Sequence, residues 1–267
     1  MTTGCSRVRW WVPLCAAGIL WQAPLGSGQI GPTVPPPAPA GANAALTRAV
    51  ELYHKKEYGS ALPVFRQVAA TGNLEAILYL GVMYGNGQGV TRDYREALQW
   101  FRKAAEAGDG QALCNIGALY FQGLGVHQDY AEAMRWFRRG AAAGSSQAAF
   151  NLGVFYRDGL GVAVDDEEAL TWFKKAADQG NDLAMNSLGV LYQKGLGVSV
   201  DDGEALRWFR AAAEAGNDAA MYNLGLAYED GTGVFLSREE AVAWYRRAAA
   251  AGNAEAKAGL WRLGVEK

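Results

Sequence analysis

Apolar and small residues recur along most of this 267-residue chain with a period of 36 residues. Trp100, Trp136, Trp172, Trp208 and Trp244 are separated by this interval, and a glycine and a tyrosine series keep the same phase. These two series are Gly81, Gly117, Gly153, Gly189 and Gly225, and Tyr84, Tyr120, Tyr156, Tyr192 and Tyr228. A fixed period of this length is typical of a stacked array of one supersecondary unit. The pattern predicts five repeats, at residues 72–107, 108–143, 144–179, 180–215 and 216–251.

Each repeat is predicted to be a pair of antiparallel helices. In the first repeat, apolar residues recur at helical spacing from about Asn73 to Tyr84, which indicates the first helix. The glycine-containing turn 87–90 follows, and the second helix is predicted to begin at Asp93 and to end at Gly108. The fold class is therefore all-α, a stacked array of antiparallel helix hairpins.

Capping and small residues support these boundaries. An Asp or Ser followed three residues later by Glu, as in Asp93 and Glu96, predicts a reciprocal capping box at the start of every second helix. Asn73 and its equivalents are suited to cap the first helices. Gly81 lies in mid-helix, where glycine costs about 1 kcal/mol relative to alanine. Its recurrence predicts close packing against the neighbouring helix, with the ring of Trp100 or its equivalent lying on the glycine.

Irregular copies are predicted on both sides of the array. Residues 44–71 form a degenerate helical hairpin, with a first helix from Ala45 to Lys55 and a second that is interrupted at Pro63. Residues 252–267 form a C-terminal capping helix, in which Trp261 replaces the glycine of the complete repeats.

The N-terminal residues indicate export. Arg7 and Arg9 precede a mainly apolar stretch and then small residues, which predicts a signal peptide at residues 1–28. A Pro/Gly/Ala-rich linker follows at residues 29–43. We therefore expect an exported protein, periplasmic or secreted, with no membrane span after cleavage. An uncleaved anchor and a misplaced start codon remain alternatives.

Composition argues against several kinds of chemistry. The formal net charge is -2 at pH 7, with 25 Lys and Arg against 27 Asp and Glu, so we expect no nucleic-acid partner. Two histidines and three cysteines offer no metal-ligand spacing and no cofactor motif, and motifs for nucleophilic catalysis are absent. We expect no enzyme activity, no metal site and no cofactor.

A row of Arg and Lys on the second helices, beginning with Arg102 and Lys103, is interpreted as a solvated face rather than a site for an anionic partner.

The repeated motif resembles the Sel-one-like repeat (SLR) family, which is related to tetratricopeptide repeats. The residues that carry the resemblance in the first copy are Ala76, Leu80, Gly81, Tyr84, Gly87, Gly89, Val90, Asp93, Ala97, Trp100, Phe101, Ala104, Ala105 and Gly108. The resemblance implies a right-handed α/α superhelix (solenoid) of antiparallel helix hairpins, and a non-catalytic protein–protein interaction scaffold or adaptor. Because some exported, cysteine-rich relatives are linked to β-lactams, an envelope hydrolase or a β-lactam- or peptidoglycan-binding protein is the alternative, although the paired cysteines of those relatives are missing here.

A protein or extended peptide is the predicted partner, bound in the concave groove that the first helices line. Two columns of residues are predicted to contact it. The amide column consists of Tyr79, Asn115, Asn151, Ser187 and Asn223, and the variable column of Leu78, Cys114, Phe150, Asn186 and Tyr222. An asparagine amide both donates and accepts hydrogen bonds, so the amide column is suited to hold a peptide backbone. The alternative is that these side chains bond to neighbouring helices and only fix the stacking.

Overall fold

The computed structural model describes residues 44–265, which form 13 α-helices and no strands. The chain is an all-α solenoid of consecutive helical hairpins. The helices are α1 (Ala44–His54), α2 (Tyr58–Ala69), α3 (Leu74–Asn86), α4 (Tyr94–Glu106), α5 (Gly110–Gln122), α6 (Tyr130–Ala142), α7 (Ser146–Asp158), α8 (Asp166–Ala177), α9 (Asp182–Lys194), α10 (Asp202–Glu214), α11 (Asp218–Asp230), α12 (Arg238–Ala250) and α13 (Ala254–Arg262). The predicted signal peptide and linker lie outside the described residues. No helix within residues 44–265 is long and apolar enough to cross a membrane.

The ends of the helices are set by the capping residues that the sequence pattern indicates. The side chain of Asn73 accepts a hydrogen bond from the backbone N–H of Ala76 at 2.9 Å, and the equivalent residue caps each later first helix. Gly87 ends α3 with a left-handed backbone, at φ 69°. Gly108 is also left-handed, at φ 81°, just beyond the end of α4. Glycine adopts this conformation without the steric cost that a Cβ atom brings.

The capping boxes form in one direction only, which corrects the sequence prediction. The side chain of Asp93 accepts from the backbone N–H of Glu96 at 3.1 Å, as expected. The N–H of Asp93 does not pair with the Glu96 side chain, however, because it donates to the carbonyl oxygen of Tyr84 at 2.9 Å. The same bond, from the cap residue to the carbonyl of the series tyrosine, recurs in all five repeats at 2.9–3.0 Å. It closes the turn between the two helices of each hairpin.

The mid-helix glycines pack against phenylalanine rather than tryptophan, which is a second correction. A Cβ atom built on Gly81 would lie 2.5 Å from the Phe101 ring, so only glycine allows this contact. The later glycines face Phe137, Phe173, Phe209 and Tyr245 in the same way. Phe101 is fully buried, whereas Trp100 is half-buried and lies beneath Lys103, whose Nζ is 4.0 Å from a ring centroid. The aromatic residue that joins the two helices is therefore the one after the tryptophan.

The described residues fall into two compact blocks, 44–151 and 152–265, with the boundary inside α7. In the first block, α1 and α2 form a helical hairpin that precedes the five repeats. Helix α2 continues through Pro63, contrary to the sequence prediction. Pro63 is the sixth residue of this helix, so it removes only the hydrogen bond that would reach Gly59, close to the helix start. In the second block, α13 is the predicted terminal helix, and Trp261 on it is 70% exposed.

Candidate partner-binding surface

The predicted contact residues lie on the first helices of the five repeats, but most of them are covered by neighbouring helices. In the amide column, Asn115 is half-buried, and the other four side chains are buried. Those four are Tyr79, Asn151, Ser187 and Asn223. In the variable column, Leu78 and Tyr222 are half-buried, whereas Cys114, Phe150 and Asn186 are buried. The solvent-accessible members of the two columns are therefore Leu78, Asn115 and Tyr222.

Hydrogen bonds join the two columns between successive repeats. Asn223 donates from Nδ2 to Oδ1 of Asn186 at 3.0 Å, and both side chains are buried. Asn151 donates in the same way to Sγ of Cys114 at 3.6 Å. In each case the amide-column residue of one repeat meets the variable-column residue of the repeat before it. These contacts favour the interpretation that Asn151 and Asn223 fix the stacking, while partner binding by the two columns stays a prediction.

A second set of bonds within the first helices orients the amides. Gln111 donates to Oδ1 of Asn115 at 3.2 Å, and Gln147 donates to Oδ1 of Asn151 at 3.3 Å. The Ser187 hydroxyl donates to the carbonyl oxygen of Leu183 within the same helix at 2.8 Å. The asparagine oxygens of α5 and α7 are thus engaged locally, which leaves the Nδ2 group of Asn151 directed at the preceding repeat.

The Cys114 thiol lacks the properties of a catalytic nucleophile. Burial raises its pKa to about 12, although hydrogen bonds with Ser145 and Asn151 act in the opposite direction. The thiolate is the reactive form, and a pKa this high leaves almost none of it at neutral pH. Cys114 therefore serves as a small packing residue that accepts one amide N–H.

The first helices are also joined by their caps, a feature that the sequence reasoning missed. Asn217 caps α11 and donates from Nδ2 to Oδ2 of Asp182 at 2.9 Å. Asn253 caps α13 and donates to Asp218 at 3.1 Å. The signal was present as an Asp placed 35 residues before the capping Asn. Each cap therefore fixes its own helix and the start of the preceding first helix.

Half-buried polar side chains border the accessible part of this face. They occupy the positions equivalent to 75 and 86, and they differ between repeats. At the first position are Glu75, Gln111 and Gln147, and at the second Asn86, Gln122, Asp158 and Lys194. Burial raises the pKa of Glu75 above its usual range. Asp158 forms a two-point contact with the nearly buried guanidinium of Arg157, with N–O distances of 2.6 and 2.8 Å.

The basic row on the second helices contacts the tyrosines of the following repeat. Arg102 donates to the Tyr120 hydroxyl at 3.4 Å, and Arg210 donates to Tyr228 at the same distance. Lys174 lies 5.6 Å above the ring of Tyr192. The adjacent basic residues cover their own tryptophans, as Arg139 covers Trp136 at 4.3 Å. These cations therefore connect successive repeats and shield aromatic rings, in agreement with a structural interpretation of the row.

Comparison with known proteins identifies the repeat. A model of the Sel1 repeat matches five consecutive segments, at residues 74–109, 110–145, 146–181, 182–217 and 218–253. The chain belongs to the Sel1 repeat family. The segments have the predicted length and lie two residues later than the predicted repeats, so that each begins at the first residue of a first helix. No group of metal-ligating side chains occurs among residues 44–265.

Several solved structures are similar over most of the chain. A Sel1 repeat protein from Oxalobacter formigenes is 35% identical, with a TM-score of 0.77 over 82% of this chain and 92% of that protein. The protein c5321, a protective antigen present in uropathogenic Escherichia coli strains, is also 35% identical, with a TM-score of 0.71. The match covers 82% of this chain but only 47% of c5321. The immunity protein PA5088 from Pseudomonas aeruginosa is 25% identical, with a TM-score of 0.51 over 68% of this chain and 66% of that protein. No curated protein sequence matches.

Proposed function

We propose that this protein is an exported, non-catalytic scaffold that binds a protein or an extended peptide along its first helices. Sel1 repeat proteins are typically protein-interaction scaffolds. The observation that carries the proposal is a contrast within each repeat. The series that begin at Gly81 and Tyr84 are identical in all five copies, whereas the residue at position 78 differs in every copy, from Leu78 in the first to Tyr222 in the last. A surface that repeats in geometry and differs in chemistry suits recognition of an extended ligand.

The contact surface that we propose is smaller than the two columns predicted from the sequence. In the block of residues 44–151 its members are Leu78 and Asn115, and in the block of residues 152–265 its member is Tyr222, in each block together with half-buried side chains at the positions equivalent to 75 and 86. The buried members of the columns would act indirectly, by holding successive repeats in register. The presence of an immunity protein among the similar structures supports a protein partner.

Affinity capture tests the proposed surface. The full chain would be immobilised and exposed to a cell-envelope extract, and the retained proteins would be identified by mass spectrometry. The surface variant carries Leu78→Glu, Asn115→Lys and Tyr222→Ser. The matched control carries three exposed substitutions on the second helices, Gln99→Lys, Arg135→Ser and Arg207→Ser. We expect a protein that the wild type and the control retain and the surface variant loses. Equal retention by all three proteins, or equal loss from both variants, would contradict the proposal.

The buried asparagines provide the complementary stability test. Asn223→Ala leaves the Asn186 carbonyl buried without its donor, which typically costs about 1–3 kcal/mol. Asn115→Ala changes a half-buried side chain, so we expect a change within about 0.5 kcal/mol. Urea unfolding followed by circular dichroism measures the change in unfolding free energy for both variants. Equal stability losses at the two positions would remove the distinction between stacking residues and contact residues.

Export is a separate part of the proposal, and it rests on the residues at positions 1–28. We expect the protein in the exported fraction, with a new N-terminus between about Ala23 and Ile30 by intact-mass measurement. A cytoplasmic protein that retains Met1 would contradict it.

A further inference from the structure

Four exposed apolar side chains lie in the turns that join the helices of the last three hairpins. They are Val164, Val200, Phe235 and Leu236, and we call them the turn row. Val164 and Val200 are 61% and 62% exposed, Leu236 is 70% exposed, and Phe235 is 97% exposed. All four belong to the block of residues 152–265. In the other block, the positions equivalent to Val164 hold Arg92 and Gln128.

The fold itself does not require apolar residues at these positions. A side chain here lies over the left-handed glycine that ends the first helix. A Cβ atom built on Gly159 would lie 3.0 Å from Cγ2 of Val164, and one on Gly123 would lie 3.2 Å from Cβ of Gln128. A polar residue therefore covers the glycine as closely as valine does. The same argument applies to Phe235. The equivalent turn positions of the other repeats hold small or polar residues, namely Thr91, His127, Ala163 and Ser199.

Acidic side chains follow the turn row directly. The first turn of α8 contains Asp166, Glu167 and Glu168, and the first turns of α10 and α12 add Asp202, Glu204, Glu239 and Glu240. Arg238 also lies in the first turn of α12, where its guanidinium donates to the carbonyl oxygen of Leu263. The helix dipole accounts for acidic residues at helix starts. It does not account for solvent-exposed valine, leucine and phenylalanine beside them, which recur at the same turn of three successive hairpins.

We propose that the turn row and the acidic first turns beside it bind a basic amphipathic segment of a partner protein. The apolar side of the segment packs on the turn row, and its Lys or Arg side chains pair with the carboxylates other than Glu204, which already pairs with Arg207 at 3.1 Å. Charge decides between the possible occupants of this surface. A second copy of the chain would bring the same acidic turns together, and an anionic lipid surface would be repelled by them. This site differs from the first-helix surface, so each can fail without the other.

Fluorescence anisotropy with labelled synthetic peptides tests the proposal on the full chain. The probe is a designed amphipathic helix of Leu and Lys. Two comparison peptides replace all Lys with Glu, or all Leu with Ser. We expect the Leu/Lys peptide to bind at least about tenfold more tightly than either comparison peptide. Binding of the Leu/Glu peptide with equal affinity, equal binding of the Lys/Ser peptide, or no binding of the Leu/Lys peptide would overturn the proposal.

Variants locate the binding. The row variant carries Val164→Thr, Val200→Thr, Phe235→Ser and Leu236→Gln, all at exposed positions, and we expect it to bind the Leu/Lys peptide at least about tenfold more weakly. The matched control changes the same turn positions in the other block, Arg92→Gln and His127→Ser, and should bind as the wild type does. The variant Leu78→Glu, Asn115→Lys, Tyr222→Ser should also bind normally, which separates this site from the proposed scaffold surface. Unchanged binding by the row variant would overturn the proposal, and circular dichroism verifies that it is folded.

Discussion

The two ends of the array are closed by different chemistry. At the N-terminal end, aromatic rings cluster around Tyr53, whose ring centroid is 5.2 Å from that of Tyr58 and 4.9 Å from that of Tyr79. Phe65 is fully buried and stacks on Tyr79 at 4.5 Å. At the C-terminal end, the series aromatic is Tyr245, and its hydroxyl donates to Glu229. Glu229 accepts two further bonds from Arg262 of α13, at 2.8 and 2.6 Å.

The difference between the two ends follows from what packs on each end in place of a further repeat. An internal repeat has a neighbour on both sides, and its two helices are joined by the glycine–phenylalanine contact and by the backbone bond from the cap residue to the series tyrosine. The first hairpin covers its neighbour with additional rings, which makes the N-terminal closure mainly apolar. The last repeat has only one further helix, and a charged group is tolerated there because Glu229 has hydrogen-bond partners on both α12 and α13. We therefore expect the stability of the N-terminal end to be insensitive to salt and that of the C-terminal end to depend on it.

The largest predicted effect is at the N-terminal end. Phe65→Ala removes a fully buried ring from the aromatic cluster and should destabilise the protein by about 3–5 kcal/mol. Urea unfolding at a low and at a high NaCl concentration measures this loss of stability, which should be the same at the two concentrations. Phe65→Leu, a smaller apolar change, should cost less than about 1.5 kcal/mol. A cost for Phe65→Ala that falls strongly with salt would mean that this end is not closed by apolar packing.

An intermediate effect is predicted at the C-terminal end. Arg262→Met leaves Glu229 without its two-point partner and should cost about 1–2 kcal/mol at low salt, and less at high salt, because the pair is partly solvent-exposed. The matched control is Arg135→Met, which breaks the more exposed contact with Glu132 and should cost less than about 0.5 kcal/mol. Equal costs for the two substitutions would show that the Glu229 network contributes no more than a surface ion pair.

The smallest predicted effect is the difference in stability between removing the hydroxyl of Tyr245 and removing that of Tyr79. The Tyr245 hydroxyl donates to Glu229, and burial together with this hydrogen bond raises its pKa above the usual range. The Tyr79 hydroxyl is buried without a hydrogen-bond partner. Because Glu229 keeps its bonds to Arg262, Tyr245→Phe should cost only about 0.5–1 kcal/mol, whereas Tyr79→Phe should be neutral or slightly stabilising. Thermal unfolding of the two variants measures the difference. A larger loss for Tyr79→Phe would contradict the proposed contrast between the ends.

Local features of the fold could be predicted from the sequence because they depend on residues close in the chain. The positions of Asn73 and Gly87 are sufficient to place the ends of α3, and the period is sufficient to place the later helices. The packing partner predicted for Gly81 was wrong, because the period does not distinguish Trp100 from the adjacent Phe101. Their roles are decided by which side chain points between the helices. The hydrogen-bond partner predicted for the Asp93 N–H was also wrong, because the Tyr84 carbonyl comes within hydrogen-bonding distance only when the turn closes.

The contact surface was harder to predict than the fold. Helical spacing places Asn151 and Asn223 on a common face, but burial of that face depends on how closely the next repeat approaches. The hydrogen bonds from these residues to Cys114 and Asn186 span 37 positions. A single sequence contains no direct signal for such a pair. Leu78, Asn115 and Tyr222 stay accessible although they share columns with buried residues, so the column pattern alone could not select them.

Deletion of one period tests most directly that the protein is an array of equivalent hairpins. Removing residues 182–217 joins Asn181 to Asp218, which restores the junction between a capping asparagine and the first residue of α11. Because each repeat contacts only its neighbours, the shortened chain should keep its mean residue ellipticity and unfold cooperatively at a somewhat lower temperature. Removing only residues 182–199, half a period, should abolish cooperative unfolding. Loss of the helical signal in the full-period deletion, or a folded half-period deletion, would contradict this account.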